Sequence, residues 1–574
     1  MRKQNAQIIA AIFGILLISA PSLGRAEFAA PSQVTPQNLR PESAPRDQGI
    51  ALSGALPLAP PPGAENLNVL VGEVQVEGAF AELAEATEAA TREVRGKQVS
   101  VTQIYALART LEQIYAQSGY LLARVVVPPQ KLVNRGKLVL VVIDGFVEEV
   151  DVAGVHERVR AVVAARVRDL VGRRHLRRGE IERKLLIAGD VGGLRLRSTL
   201  MRGTRVGGTR LVLEGEHRLV TESLGADDLL PRSLGTWQLR GSVAVNSALG
   251  LGEQIYGTAD VGADLKATID GSSPLAVYGA GAVIPLDTDG LTLNPEYAHS
   301  TTRTSAEPGV PASLGTFERF ALRLRDPVVW TRSSSLNLNA SVEYMTQVIS
   351  APDFGVELNA DRYTVARIGP DYATSLPWGA GLQMGASLSH GLGGRTAADA
   401  IASGVPLSRI GAGPDFTKIT GNIRVSQPLF ASLRFDLIGF GQTSMGKPMM
   451  LSEQFALDGA EAVSGFATGT FNVDQGATVR GELVHPFAAR LYSLNANVSP
   501  YVFGSFGRGE LFNTTSVEQS LINAGAFGLG ARGSFEAAAD SPRLSFGVEL
   551  ARGFTNVPGV SQDWRGNINA TETF

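Results

Sequence analysis

From about residue 217 onward apolar and polar residues alternate, and that habit limits what the chain can become. Trp237, Leu239, Gly241, Val243 and Val245 interleave with Gln238, Arg240, Ser242, Ala244 and Asn246. Leu336, Leu338, Ala340, Val342 and Tyr344 interleave with Asn337, Asn339, Ser341 and Glu343, and Leu433, Phe435 and Leu437 with Arg434 and Asp436. A period of two puts successive side chains on opposite faces of a strand, so each segment reads as a strand with one apolar and one polar face. A soluble sandwich turns the apolar face inward and a membrane barrel turns it outward, so alternation alone does not choose between them.

Other features favour the membrane. No stretch after residue 25 approaches the roughly 18 unbroken apolar residues of a spanning helix, so any crossing must be made by strands. Cysteine is absent, which removes disulfides, thiol catalysis and thiolate metal sites and suits passage through an oxidising periplasm. The 65 glycines suit closely packed strands and their turns. Long polar connectors such as residues 301–314 point the same way, as does a terminal Phe574, the usual ending for chains handed to the barrel-insertion machinery. At about 22 residues per strand and connection the region fits about 16 tilted strands of roughly 9 to 11 residues, with about 14 or 18 also compatible. A formal net charge of −3 names no nucleic-acid partner.

Arg2 and Lys3, the apolar run 8–20 and Gly24-Arg25-Ala26 read as an export signal over residues 1–26. The proline-rich stretch within 27–66 reads as an extended, semi-rigid linker. Residues 67–146 predict a strand, a helix capped by Thr102 and carrying Ile104, Leu107, Ala108, Leu111 and Tyr115, then strands at 121–127 and 137–143. Residues 147–215 predict a second unit of the same kind, with Val159, Val162, Val163, Val167 and Leu170 on one helix face. The barrel is expected over 216–574.

Three stretches carry a resemblance: Gly119-Tyr120-Leu121 through Val127-Pro128-Pro129-Gln130, Glu182-Arg183-Lys184-Leu185-Leu186, and Asn246-Ser247-Ala248-Leu249-Gly250-Leu251-Gly252-Glu253-Gln254. Together they resemble the transporter component of two-partner secretion systems, the haemolysin secretion/activation proteins, over residues 67–574. The resemblance implies two periplasmic POTRA domains, a transmembrane antiparallel β-barrel in the outer membrane, and export of an unfolded partner exoprotein with neither cofactor nor nucleotide hydrolysis. It also implies client contacts at Gly119, Tyr120, Pro128, Pro129 and Gln130, although Pro128-Pro129-Gln130 reads equally as a rigid turn. Phe455-Ala456-Leu457-Asp458-Gly459-Ala460-Glu461-Ala462-Val463-Ser464-Gly465-Phe466 is similar to the family's loop that folds back into the lumen. At its tip the family has an arginine where Val463, Ser464, Gly465 and Phe466 place Ser464. The family's arginine meets an aspartate on the inner wall, and Ser505 stands at that position. The coupled loss leads us to expect a direct neutral hydrogen bond between Ser464 and Ser505, worth on the order of 1 kcal/mol. The family's N-terminal plug helix has no assignable counterpart in the sequence.

No catalytic constellation stands out. His156, His175, His217, His299, His390 and His485 are scattered, and the pattern Gly528-Leu529-Gly530-Ala531-Arg532-Gly533 reads as strand packing because no helix follows it. Arg158, Arg160, Arg166, Arg168, Arg173, Arg174, Arg177 and Arg178 would suit an acidic client, lipid headgroups or a solvated helix face. A barrel-assembly factor or a passive porin stays open as an alternative at this point.

Overall fold

The computed structural model describes residues 30–41, 50–51, 60–306, 311–491, 494–516, 518–537 and 541–574. The expected signal peptide and parts of the expected linker lie outside the described residues.

The first periplasmic-type unit contains β1 (Asn68–Glu77), β2 (Gln98–Ser100), β3 (Arg124–Val126) and β4 (Gly136–Ile143), in sheet order β2-β1-β4-β3. β1 and β4 run parallel, and the helices Ala84–Arg92 and Val101–Gln117 provide the crossover between them. The longer helix buries Ile104, Leu107, Ala108, Leu111 and Tyr115, the face set by the apolar spacing. Its cap is Ser100 rather than Thr102: the Ser100 hydroxyl accepts from Gln103 N at 3.2 Å while Gln103 Oε1 accepts from Ser100 N at 2.7 Å, a reciprocal box. The helix Ala84–Arg92 escaped the sequence pattern because it buries only Thr87 and Thr91.

The second unit repeats the order strand, helix, helix, strand, strand with β5 (Phe146–Val155), β6 (Leu194–Arg202) and β7 (Gly208–His217) around the helices Glu157–Val167 and Arg178–Gly189. Val159, Val163, Val167, Leu170, Ile181 and Leu185 form its core.

Sixteen antiparallel strands then close on themselves. They are β8 (Val220–Asp227), β9 (Gln238–Asn246), β10 (Gln254–Gly262), β11 (Leu275–Pro285), β12 (Thr292–Thr304), β13 (Ser313–Trp330), β14 (Ser334–Ala351) and β15 (Val356–Ser375), followed by β16 (Gly381–Gly394), β17 (Thr417–Pro428), β18 (Arg434–Thr443), β19, β20 (Leu494–Glu510), β21 (Leu521–Glu536), β22 (Arg543–Thr555) and β23 (Trp564–Thr573). β19 runs as Gln475–Val484 and resumes as Phe487–Leu491 after a break at His485 and Pro486, both parts pairing with β20. Strands reach 20 residues at β15, well beyond the lengths expected from the bilayer alone. Of the polar stretch expected as a connector at 301–314, residues 301–304 end β12 and residues 313–314 begin β13, and the hydroxyls of Thr304 and Ser313 lie 2.8 Å apart across the ladder. Closure is thinnest between β8 and β23, from Asn569↔Asp227 to Thr573↔Ser223.

The alternation resolves into an inside-out pattern. On β13, Phe320 is 53% exposed and Leu322 51%, whereas Arg319, whose odd position puts it on the opposite face, is 3% exposed. Glu296, Glu343, Asp436, Arg480 and Glu482 are buried in the same way on other strands. A soluble protein would hide the leucines and solvate the charges; an outward apolar belt around a polar interior is the arrangement of a barrel in hydrocarbon.

Candidate functional site: the lumen and its inward loop

Two segments fill the lumen. Residues 30–41, inside the stretch expected to be an extended linker, enter the barrel with a single helical turn at Pro31–Val34. Thr35 Oγ1 lies 2.7 Å from Ser300 Oγ, Glu296 Oε2 accepts from Leu39 N at 3.0 Å, and Arg319 and Arg323 donate to the carbonyls of Pro36 and Gln37 at 2.9 and 2.8 Å. Leu39 sits among Ala244, Tyr256, Val283 and Ala298. These residues are not a free extended linker, because the carbonyls of Pro36 and Gln37 serve as acceptors for Arg319, which is buried, and Arg323, which is partly buried.

The second segment leaves β18 at Ser444 and returns to the wall at Gln475. It is fastened first at a shoulder, the 3₁₀ turn Leu451–Glu453. Glu453 is 1% exposed. Its carboxylate accepts from Arg367 Nη2 at 2.6 Å and Tyr363 Oη at 2.8 Å and pairs with Lys418 Nζ at 2.8 Å. Arg367 reaches on to Glu343, Glu343 to Arg323, and Arg323 to Glu296, so a continuous chain of ion pairs joins this shoulder to the residues that hold the lumenal segment 30–41, hereafter the plug. Asp474 closes the loop's return, accepting from Met449 N at 2.9 Å and Phe512 N at 2.7 Å.

Below the shoulder Phe455–Ala456 pairs with Asn472–Val473, and Asp458 accepts from the backbone N–H groups of Gly469 and Phe471 at 2.9 and 2.6 Å. This narrow neck carries the tip. Val463, Ser464 and Phe466 are all buried, and Phe466 meets Phe471 edge to face. Gly465 touches the wall backbone: a Cβ there would come within 2.8 Å of Gly553 Cα. Gly553 in turn leaves room for the Phe466 ring.

The expected bond between Ser464 and Ser505 is not formed. Ser464 Oγ accepts from Arg480 Nη1 at 2.8 Å, its carbonyl accepts from Asn567 Nδ2 at 3.0 Å, and Ser505 Oγ donates to Ala526 O at 3.4 Å. Arg480 is the register partner of Ser505 on the neighbouring strand, so the guanidinium occupies the space between the two serines. It is 1% exposed, lies 3.7 Å from the Phe503 ring centroid, and donates to Glu482 at 2.7 Å and Glu549 at 2.6 Å. Glu482 also takes Arg532 at 2.6 Å, and Arg532 and Arg434 meet at Asp436. At this contact the arginine stands on the wall, where wall carboxylates balance it. Arg480 and Glu482 share an inward parity on β19, a cue the sequence offered without naming their partners.

The model for the haemolysin secretion/activation protein ShlB/FhaC/HecB matches residues 207–533, more than half the chain, and the model for the ShlB-type POTRA domain matches residues 69–145. The chain belongs to this family. It is a two-partner secretion transporter of the outer membrane, with POTRA domains in the periplasm. Among curated proteins it is 24% identical over 450 residues to the heme/hemopexin transporter protein HuxB of Haemophilus influenzae strain 86-028NP, covering 75% of this chain and 74% of that one. Its fold is similar to CdiB from Escherichia coli (TM-score 0.65, 17% identity, 95% of this chain and 94% of that one). It is also similar to CdiB from Acinetobacter baumannii (TM-score 0.57, 15% identity, 100% and 97%).

In this transporter the residues expected to touch a client hold the periplasmic region together. Tyr120 is 4% exposed, packs on Phe80 and His175, and donates its hydroxyl to Glu82, holding that carboxyl below its ordinary range. His175 lies between Asp144 (Nδ1 at 3.0 Å) and Glu82 (Nε2 at 3.3 Å); the Asp144 hydrogen bond, with the charge of both carboxylates, raises its pKa. Gly119 takes φ +98°, and its carbonyl accepts from Arg178 N at 2.7 Å across the joint between the two units. Gln130 bonds both backbone groups of Val139, at 2.8 and 2.9 Å, fixing the turn whose exposed corner is Pro129 and whose Pro128 is half-buried. Several of the basic residues are also engaged: Arg166 is buried and donates to Ile187 O, Arg173 pairs with Glu180, and Arg178 pairs with Glu182. Arg183 and Lys184 reach Asp289 in a turn of the barrel, seating the second unit against it.

Proposed function

We propose that an unfolded exoprotein passes through the lumen when the plug withdraws and the loop tip leaves the wall while the shoulder stays fastened. The supporting observation is the distribution of charge around Ser464. Arg480 keeps Glu482 and Glu549 whether or not the tip is docked, so release removes hydrogen bonds and strands no buried ion. Glu461 beside the tip pairs with Arg424, but both are partly exposed and such a pair contributes little. No cofactor enters this route, and folding of the client outside the cell, rather than hydrolysis or any catalysed step, makes passage one-way. The outward belt meets outer-membrane lipid, and the final strand is the part read by the barrel-insertion machinery during biogenesis.

The test is secretion of the candidate exoprotein by a Ser464→Cys/Asn567→Cys transporter, in which these are the sole thiols. The proposal expects export to fall at least tenfold under oxidation and to return with reductant. Undiminished export through the oxidised form would refute passage past a displaced tip.

A further inference from the structure

Three neighbouring side chains on the inner wall carry four buried polar atoms that the fold leaves unmatched. They are Nε2 and Oε1 of Gln347, Oδ1 of Asn359 and Oδ2 of Asp361, none of which has a hydrogen-bond partner among the described residues. Gln347 is 1% exposed and Asp361 2%. Gln347 on β14 lies directly opposite Asp361 on β15, and Asn359 stands two residues from Asp361, so all three share the lumenal face. Opposed side chains of a ladder start about 5 Å apart and diagonal ones about 7 to 8 Å, within reach of a single ion. The ladder is irregular at this point, since Ile349 pairs with Asn359 but Ser350 with Glu357, and a bulge of this kind re-aims side chains.

A buried polar atom without a partner costs stability, so four in one patch call for an occupant. Three of the four are oxygens, and one of these belongs to a carboxylate. Among the described residues no ion pair reaches Asp361. Arg395 lies near it but gives its guanidinium to Ala360 O and Ser403 Oγ, each at 2.6 Å, and to Val405 O. A buried carboxylate in that position favours a cation.

We propose that Gln347 Oε1, Asn359 Oδ1 and Asp361 Oδ2 form a calcium site, with water in the remaining positions and one such water held by Gln347 Nε2. Calcium takes about six to eight oxygen ligands in a flexible geometry, carboxylate and amide oxygens among them. The set offers neither imidazole nor thiolate, the ligands that favour zinc and copper. The site lies just below the turn Pro352–Phe354, at the end of the barrel away from the POTRA units, and so takes its ion from the outside medium. It also has a mechanical consequence. Ser408, between β16 and β17, donates its N–H to Asp361 Oδ1 at 2.9 Å, and its Oγ accepts from Leu451 N at 3.1 Å. Leu451 begins the shoulder turn, so calcium braces the shoulder from outside through Asp361 and Ser408.

The experiment dialyses the full-length transporter, purified in detergent and stripped with a chelator, against radioactive calcium. The wild type is expected to hold one calcium per chain more than Asp361→Asn, while Asp353→Asn, on the exposed turn, keeps the wild-type number. Should Asp361→Asn fail to fold, Gln347→Leu decides. That variant is expected to bind calcium at least tenfold more weakly, yet to melt in chelator no lower than wild type, because two unmatched atoms have gone. Equal calcium binding by the wild type and the variants would overturn the proposal. So would a lower melting point of Gln347→Leu in chelator, which would mean that Gln347 and Asp361 already satisfy each other. For the brace, maleimide labelling of Met450→Cys at rest is expected to be at least fivefold slower in calcium than in chelator, and an unchanged rate would refute it. None of these readouts involves a client, so their failure leaves the transporter reading intact.

Discussion

The shoulder and the tip of the inward loop are both buried against the barrel wall, yet they are fastened by opposite arrangements of charge. At the shoulder the loop carries the ion: Glu453 faces Arg367 and Lys418, and lifting it away would leave Lys418 without its carboxylate and Arg367 with Glu343 alone. At the tip the wall carries the ions and the loop brings a hydroxyl. The difference teaches that burial alone does not measure how firmly a segment is held. What matters is whether its departure leaves a charge behind.

Breaking the shoulder has the largest expected effect. Glu453→Ala is expected to destabilise the docked loop by about 3–5 kcal/mol, seen as raised channel conductance and faster proteolysis near residue 453. Lys418→Met in the same background should recover part of the loss. Arg480→Met comes next, at about 2–3 kcal/mol, because Glu482 retains Arg532 and Glu549 is the carboxylate left without a cation. Adding Glu549→Gln should restore much of the conductance phenotype. Ser464→Ala removes only the tip's side-chain bond and is expected to cost about 1–2 kcal/mol, read as a modest rise in open-state conductance with normal folding. An effect as large as that of Glu453→Ala would erase the distinction between the two fastenings.

The smallest effect serves as a control outside the lumen. The raised pKa of His175 means that the charged form favours the folded joint of the two POTRA units, where Asp144, Glu82, Tyr120, Arg174 and Arg177 surround it. That contribution is fully present below the ordinary histidine pKa and is lost as pH rises through the raised value. Interdomain distance distributions should therefore broaden between about pH 6 and 8, and His175→Phe should abolish the dependence. Loop conductance in the same interval should stay level, since among the described residues no histidine bonds to Glu453 or Ser464.

The fold was legible because strand alternation, paired α+β units and the loop motif are local signals. Strand lengths were not, since bilayer thickness sets only their apolar part and β13 to β15 continue beyond it. Residues 30–41 carry neither helical nor strand periodicity, and their place in the lumen follows from backbone carbonyls meeting Arg319 and Arg323. The loop-tip substitution at Ser464 was visible, but its compensation was not. Arg480, Glu482, Arg532, Asp436 and Glu549 come from β18, β19, β21 and β22, and only the paired register brings them together. The burial of Tyr120 was not legible in its own segment, because His175, which packs on it, comes from the second unit.

The most direct test of the two fastenings is thiol labelling of single-cysteine transporters, one with Ser464→Cys and one with Met450→Cys, positions that are 2% and 1% exposed. The account predicts that during client export a membrane-impermeant maleimide labels residue 464 at least tenfold faster than at rest, while labelling at residue 450 stays at its resting rate. Equal acceleration at both positions would mean that the whole loop leaves as one body, and the division between a fixed shoulder and a releasable tip would be wrong.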